Sequence, residues 1–153
     1  MNDYMKMAKD MAENGITNNE GGPFGAIITD VNGNIIAKAN NRVLIDNDPT
    51  AHAEVTAIRL ACKKLHTYDL SNYILYTSCE PCPMCLSAII WSNIKEVYYG
   101  CTKEDAADIG FRDNMIYEYL RGEKKDVLHL TPMDRESCLE TFKKYKEQNK
   151  TIY

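Results

Sequence analysis

Residues 73–93, YILYTSCEPCPMCLSAIIWSN, decide how this chain is built. The short apolar run YILYT at 73–77 reads as a strand. Pro81 and Pro83 bracket the start of a helix running to about Asn93, because proline is tolerated in a first turn. Cys82 and Cys85 are three apart, so on that first turn both sulfurs point to the same side. The stretch is therefore a strand, a tight turn and a helix whose opening turn carries two thiols.

A matching start lies upstream. Asp48-Pro49-Thr50 punctuates the chain before a helix of roughly residues 51–64, with Asp48 or Thr50 as its candidate cap. His52 and Glu54 sit in that opening turn. Further out, Gly21-Gly22-Pro23 marks a turn, followed by the strand-like runs FGAIIT and NIIAKAN. These are joined through Asp30-Val31-Asn32-Gly33, whose Asn-Gly pair marks a hairpin. Residues 2–14 place Tyr4, Met5, Ala8, Met11 and Ala12 at helical spacing, with Gly15 as a stop. Downstream come a strand, EVYYG at 96–100, helical pieces near 103–108 and 113–121, and an amphipathic helix near 134–148. Strands alternating with helices predict an α/β fold: a three-layer α/β/α sandwich around a central mixed sheet, parallel in part. No repeat, low-complexity stretch or linker marks a boundary, so residues 1–153 read as a single domain.

Composition narrows the function classes. At 153 residues, 44% hydrophobic and 26% charged, the chain has an ordinary globular balance and is long enough to bury a core. No apolar run reaches the ~20 residues a membrane span needs. The N-terminus, MNDYMKMAKDMAENG, lacks the apolar core of an export signal, so a cytoplasmic location is expected. With a net charge of -4 and scattered lysines, a nucleic-acid partner is disfavoured, since gripping phosphates takes a basic face. Six cysteines without an export signal point to metal binding or free thiols rather than disulfides. Cys62, Cys101 and Cys138 are isolated and read as small core residues. His66 and His129 have no partner at metal spacing.

The chemistry concentrates in His52, Cys82 and Cys85. Two thiols and an imidazole make three protein ligands, and a zinc with three keeps a position for water, as catalytic sites do. Such water ionises near neutral pH, and a carboxylate that takes its proton and passes it on completes the apparatus. Glu54, two residues from a ligand, fits that role. A CxxC alone also fits a redox pair or half of a zinc ribbon, but no second CxxC or HxxxH is present to complete a ribbon. Cys79 is the one candidate fourth ligand for a closed structural site. His-x-Glu followed by Pro-Cys-x-x-Cys is the pattern of zinc base deaminases.

At these residues the chain resembles the cytidine deaminase superfamily, and within it the small bacterial guanine deaminases. The likeness runs from GGPFGA through NDPTAHAEVTAIR and YTSCEPCPMC to residues 105–113, DAADIGFRD, and the C-terminal tyrosine. It implies a Zn2+-dependent hydrolytic deaminase that converts guanine to xanthine and ammonia in purine catabolism. By the same resemblance Asn41 hydrogen-bonds the bound base, Phe24 lines its pocket, and Asp113 reads the guanine edge and helps move protons. Trp91 and Tyr153 are placed at the rim. A homodimer that exchanges C-terminal segments is also implied. Without the resemblance, Asn41 reads equally as a turn residue, Asp113 as a helix cap, Trp91 as core and Tyr153 as a frayed end. Arg42, beside Asn41, departs from the smaller polar residue common in the family and bears on access to the pocket. Open alternatives are another free base, a nucleoside or an aminotriazine as substrate, tRNA adenosine, and a purely structural zinc domain.

Overall fold

A computed structural model describes residues 1–153. The chain forms two compact units, Met1–Tyr117 and Glu118–Tyr153. The first contains α1 (Asp3–Thr17), β1 (Gly25–Asp30), β2 (Ile35–Asn40), α2 (Val43–Asp46), α3 (Ala53–Leu65), β3 (Tyr73–Cys79), α4 (Pro83–Trp91), β4 (Glu96–Cys101) and α5 (Lys103–Asp108), and the start of α6 (Asn114–Leu120). The four strands form one mixed sheet in the order β2-β1-β3-β4. β1 is antiparallel to both β2 and β3, whereas β3 and β4 run parallel, connected across α4. The hairpin turns at Gly33, whose φ of +87° suits glycine.

Both sheet faces are covered. On one, the small residues Ala53, Ala57 and Ala61 recur every fourth position of α3 and meet Ala26, Ile28, Ala37, Ala39 and Leu75 of the strands. Ile89 of α4 joins the same cluster. Alanine on both sides lets the helix backbone approach the sheet closely. On the other face α1 packs against β1, β2 and β3. A side chain on Gly25 would press on the Ala8 carbonyl and lie 2.8 Å from the Ala12 amide nitrogen, so β1 and α1 touch backbone to backbone there.

Several expectations are corrected. α1 runs past Gly15 to Thr17 and stops where Asn19 turns left-handed (φ 56°). Gly15 is a packing residue: a β-carbon on it would come within 2.8 Å of Asn40 Nδ2. Neither Asp48 nor Thr50 caps α3. Asp48 Oδ1 instead accepts from the Thr50 amide (2.8 Å) and hydroxyl (2.7 Å) in a local turn, and His52 occupies the N-cap position. α4 ends at Trp91, and the single-turn helix α2 has no periodic signal to announce it. Cys101 and Cys138 are exposed rather than core, whereas Cys62, half-buried, packs against the core as expected.

The second unit contains α7 (Arg135–Glu147), which buries none of its residues within this chain. Leu130, Met133, Phe142 and Ile152 are exposed, while the Tyr145 hydroxyl donates to the Thr151 carbonyl.

Replacing Gly25 with alanine is expected to destabilise the protein by about 1–3 kcal/mol, the cost of overpacking a filled interior, although alanine normally suits a strand better than glycine. Urea unfolding of the variant beside the parent checks this; an unchanged midpoint would contradict the close approach.

Candidate active site

The site is assembled from two helix starts. His52 is the N-cap residue of α3 and Glu54 lies in its first turn, while Cys82 is the N-cap residue of α4, Pro83 follows, and Cys85 closes the first turn. Both caps have extended backbone (His52 ψ 156°, Cys82 ψ 168°) and neither makes a side-chain capping bond, so imidazole and thiol are free to face each other. His52 Nδ1 is 3.6 Å from Cys82 Sγ and 3.4 Å from Cys85 Sγ, and the three ligand atoms all lie within 4.8 Å of one another. Zn–S bonds of about 2.3 Å and a Zn–N bond of about 2.0 Å at tetrahedral angles require N···S separations of about 3.5 Å. The observed spacings therefore fit a zinc ion, and soft thiolates suit zinc. The partial positive charge of both helix N-termini favours the anionic form of the sulfurs.

The thiols already behave as ligands in waiting. Donation from Cys85, helped by His52, holds Cys82 down to about 4, and the same bond pushes Cys85 up. His52 is raised, chiefly by its bond to Cys82. Cys79 stands apart. Its Sγ donates to the Thr102 carbonyl at 3.6 Å, and burial pushes it up to about 12, so it lies outside the ligand set. That leaves three protein ligands, the number of a catalytic site.

Glu54 is 5% exposed, and burial raises its pKa above the usual carboxylate range. Thr77 Oγ1 donates to Oε1 at 3.1 Å, and Cys85 Sγ lies 3.5 Å from Oε2. The carboxyl is thus fixed against the ligand cluster.

Above the cluster is a cavity of about 490 Å³ whose walls include Phe24, Asn41, His52, Glu54, Cys82 and Asp113. Six of the nine residues singled out in the sequence therefore converge there, and Cys85 lies beneath, fully buried. Trp91, at the end of α4, is 69% exposed and outside the lining; Tyr153 belongs to the second unit and is 78% exposed. Asn41 is 5% exposed, and its Oδ1 accepts from the amides of Gly22 (3.2 Å) and Val43 (3.1 Å). Two N–H groups facing that atom identify it as the oxygen, so the amide offers a ligand its NH2 group and not both functions. Asp113 is half-buried, and burial raises its carboxyl, only partly offset by a bond to its own backbone and by Lys103. Arg42 is outside the lining, paired with Asp46 (3.0 Å) and Glu20 (3.4 Å), so it braces the turn that carries Asn41.

Sequence reasoning gave no role to Phe111, Lys103 or Arg112, which also line the cavity. Phe111 meets Phe24 edge to face with ring centres 5.1 Å apart, and the Lys103 ammonium lies 4.7 Å from the Tyr117 ring centre. An aromatic and two cations clustered around 103–113 were the available signal.

Comparison with known proteins agrees with this geometry. The cytidine and deoxycytidylate deaminase zinc-binding region matches residues 1–101. A guanine deaminase of Bacillus subtilis is 55% identical over 115 residues, 75% of this chain and 73% of that protein. The X-ray structure of guanine deaminase from Bacillus subtilis covers 100% of this chain and 99% of its own at 44% identity, with a TM-score of 0.92. A tRNA-specific adenosine deaminase of Haemophilus influenzae is 39% identical over 97 residues, 63% of this chain and 56% of that protein. The chain therefore belongs to the cytidine and deoxycytidylate deaminase zinc-binding family, and its His52–Cys82–Cys85 cluster is placed to hold the metal.

Proposed function

We propose that this protein deaminates guanine hydrolytically, giving xanthine and ammonia. The observation that carries the reading is Glu54, buried and held beside the His52–Cys82–Cys85 cluster in the wall of the ~490 Å³ cavity. Zinc held by those three residues supplies a Lewis acid that brings the ionisation of water to near pH 7. Glu54 takes the proton that water releases as its oxygen adds to C2 of the ring. It then delivers that proton to the 2-amino nitrogen, so the departing group leaves as neutral ammonia. Burial raises Glu54 toward the working pH, the direction that suits a group which must both take and return a proton.

The remaining walls suit guanine. Phe24 and Phe111 offer apolar surface to a flat ring. The Asn41 amide donates to a ring acceptor, and the Asp113 carboxyl faces the N–H groups that guanine has and adenine lacks. A pocket so built rejects rings that leave these groups unpaired. A tRNA substrate would call for a basic approach surface, which a net charge of -4 does not favour.

The protein acts as a homodimer in this reading. Leu86, Ile90 and Trp91 line an exposed apolar side of α4, and the apolar residues of the second unit are also exposed. These surfaces support exchange of C-terminal segments between subunits, with Trp91 and the incoming Tyr153 closing the rim of the pocket. No helix is long and apolar enough to cross a membrane, and the reaction is assigned to the cytoplasm, in purine breakdown.

Ammonia release from guanine, offered beside cytosine, adenine, guanosine, cytidine and a tRNA anticodon stem-loop, tests the assignment; turnover of any of the others with guanine inert would overturn it. Glu54→Gln should lower kcat by roughly 10²–10⁴, the range for general acid–base catalysis. Asp113→Ala should cost guanine turnover roughly 10- to 100-fold, as losing a bond to a charged group does, and hurt any residual cytosine turnover less. Metal analysis gives an independent check: Cys82→Ser and Cys85→Ser should lose zinc, whereas Cys79→Ser should keep one ion per chain.

A further inference from the structure

The deamination chemistry leaves one buried polar group in the site without a role. Thr77 lies on β3, in register with Ala26 of β1 and Tyr99 of β4, and is completely buried. Its Oγ1 is 3.1 Å from Glu54 Oε1 and 3.0 Å from the carbonyl oxygen of Cys79. A hydroxyl carries one hydrogen, so only one of these acceptors receives it at a time. The carboxylate is the stronger, because bonds to charged groups are about twice as strong as neutral ones.

The other side chain on the carboxyl is Cys85, 3.5 Å from Oε2. Thr77 holds the other oxygen, Oε1, from the sheet side. The geometry points to Thr77 as a positioning residue for the proton carrier. By anchoring Oε1 it turns Oε2 toward the metal ligands, where water must lose its proton and the amine must gain one. The Cys79 carbonyl completes the device. While Oε2 holds the proton in transit, Oε1 becomes a neutral acceptor, and the Thr77 hydrogen has a second partner of equal rank within reach. The hydroxyl gives up no proton, and no buried donor is orphaned at either stage. Thr77 touches neither substrate nor metal; it acts through Glu54. This inference rests on Glu54 being the proton carrier.

Two variants separate the hydroxyl from the methyl: Thr77→Val keeps the shape and Thr77→Ser keeps the hydroxyl. With zinc-loaded protein and guanine, the valine variant should lose kcat roughly 10- to 100-fold with KM changed less than about twofold, and the serine variant should stay within about threefold of the parent. Zinc content should remain one per chain in both. A crystal structure of the zinc-loaded valine variant should show the Glu54 carboxyl rotated from its parent orientation. Parental kcat in the valine variant, equal losses in both variants, or an unmoved carboxyl would overturn the proposal. If valine prevents folding, Thr77→Ala is compared with Thr77→Ser, since both lack the methyl and differ only in the hydroxyl. If the parent turns over another aminated ring and not guanine, the substrate assignment fails, and the same comparison on that ring still decides the role of Thr77.

Discussion

The whole site hangs on the close approach of α3 to the sheet. Ala53, Ala57 and Ala61 put only methyl groups between the helix and strands that are themselves lined with Ala26, Ala37 and Ala39. Larger residues would lift α3 away, and with it His52 and Glu54, from the end of β3 where Cys82 and Cys85 begin α4. An N···S spacing near 3.5 Å tolerates little such movement, because zinc bond lengths vary by only about 0.2 Å. A packing choice made deep in the core therefore fixes the metal geometry at its edge. Gly25 performs the matching service on the opposite face, letting α1 press on β1 so that the sheet is held from both sides.

Placing the ligands at two helix starts settles their electrostatics at the same time. The amides of a first turn have no carbonyl partners within the helix, and they face the groups at its mouth. That favours thiolates at Cys82 and Cys85. Glu54 is subject to a stronger opposing influence: nearly complete burial, which disfavours its charged form. The result is a carboxyl disposed to hold a proton beside a Cys82 sulfur disposed to release its own.

What could be read in the sequence follows from which features are local. Cys82, Cys85, His52 and Glu54 stood out because their spacing and their prolines act within a single turn, and the strand and helix runs flanking them have clear periods. All eleven elements except α2 had such a signal; α2, with four residues, is too short for a period to exist. Gly15 was misread because glycine has two uses, ending helices and permitting close approach, and only the position of Asn40 tells which applies. Asp48 was misread for a similar reason, since its carboxylate finds Thr50 before it can reach the helix. Thr77 looked like any strand threonine. Its importance comes from Glu54, 23 residues away, and no pattern within either segment expresses that pairing.

Asn41 illustrates how a fold narrows chemistry beyond what residue type allows. A free amide both donates and accepts, and would bind a heteroaromatic edge in either orientation. Here the Gly22 and Val43 amides occupy its oxygen, and a side chain on Gly21 would collide with that same atom. The Glu20–Arg42 pair and the 2.6 Å bond from Asn40 Nδ2 to Glu20 tie the same loop to the end of β2. That leaves the Asn41 NH2 group as the donor at a cavity that Asp113 also lines. A ring that fits must present an acceptor to one and a donor to the other, and turning it over mismatches both. If guanine binds as proposed, these two groups set its orientation, and with it the carbon brought to Glu54. Commitment of a single oxygen to two backbone amides leaves this side chain one function where its residue type offers two.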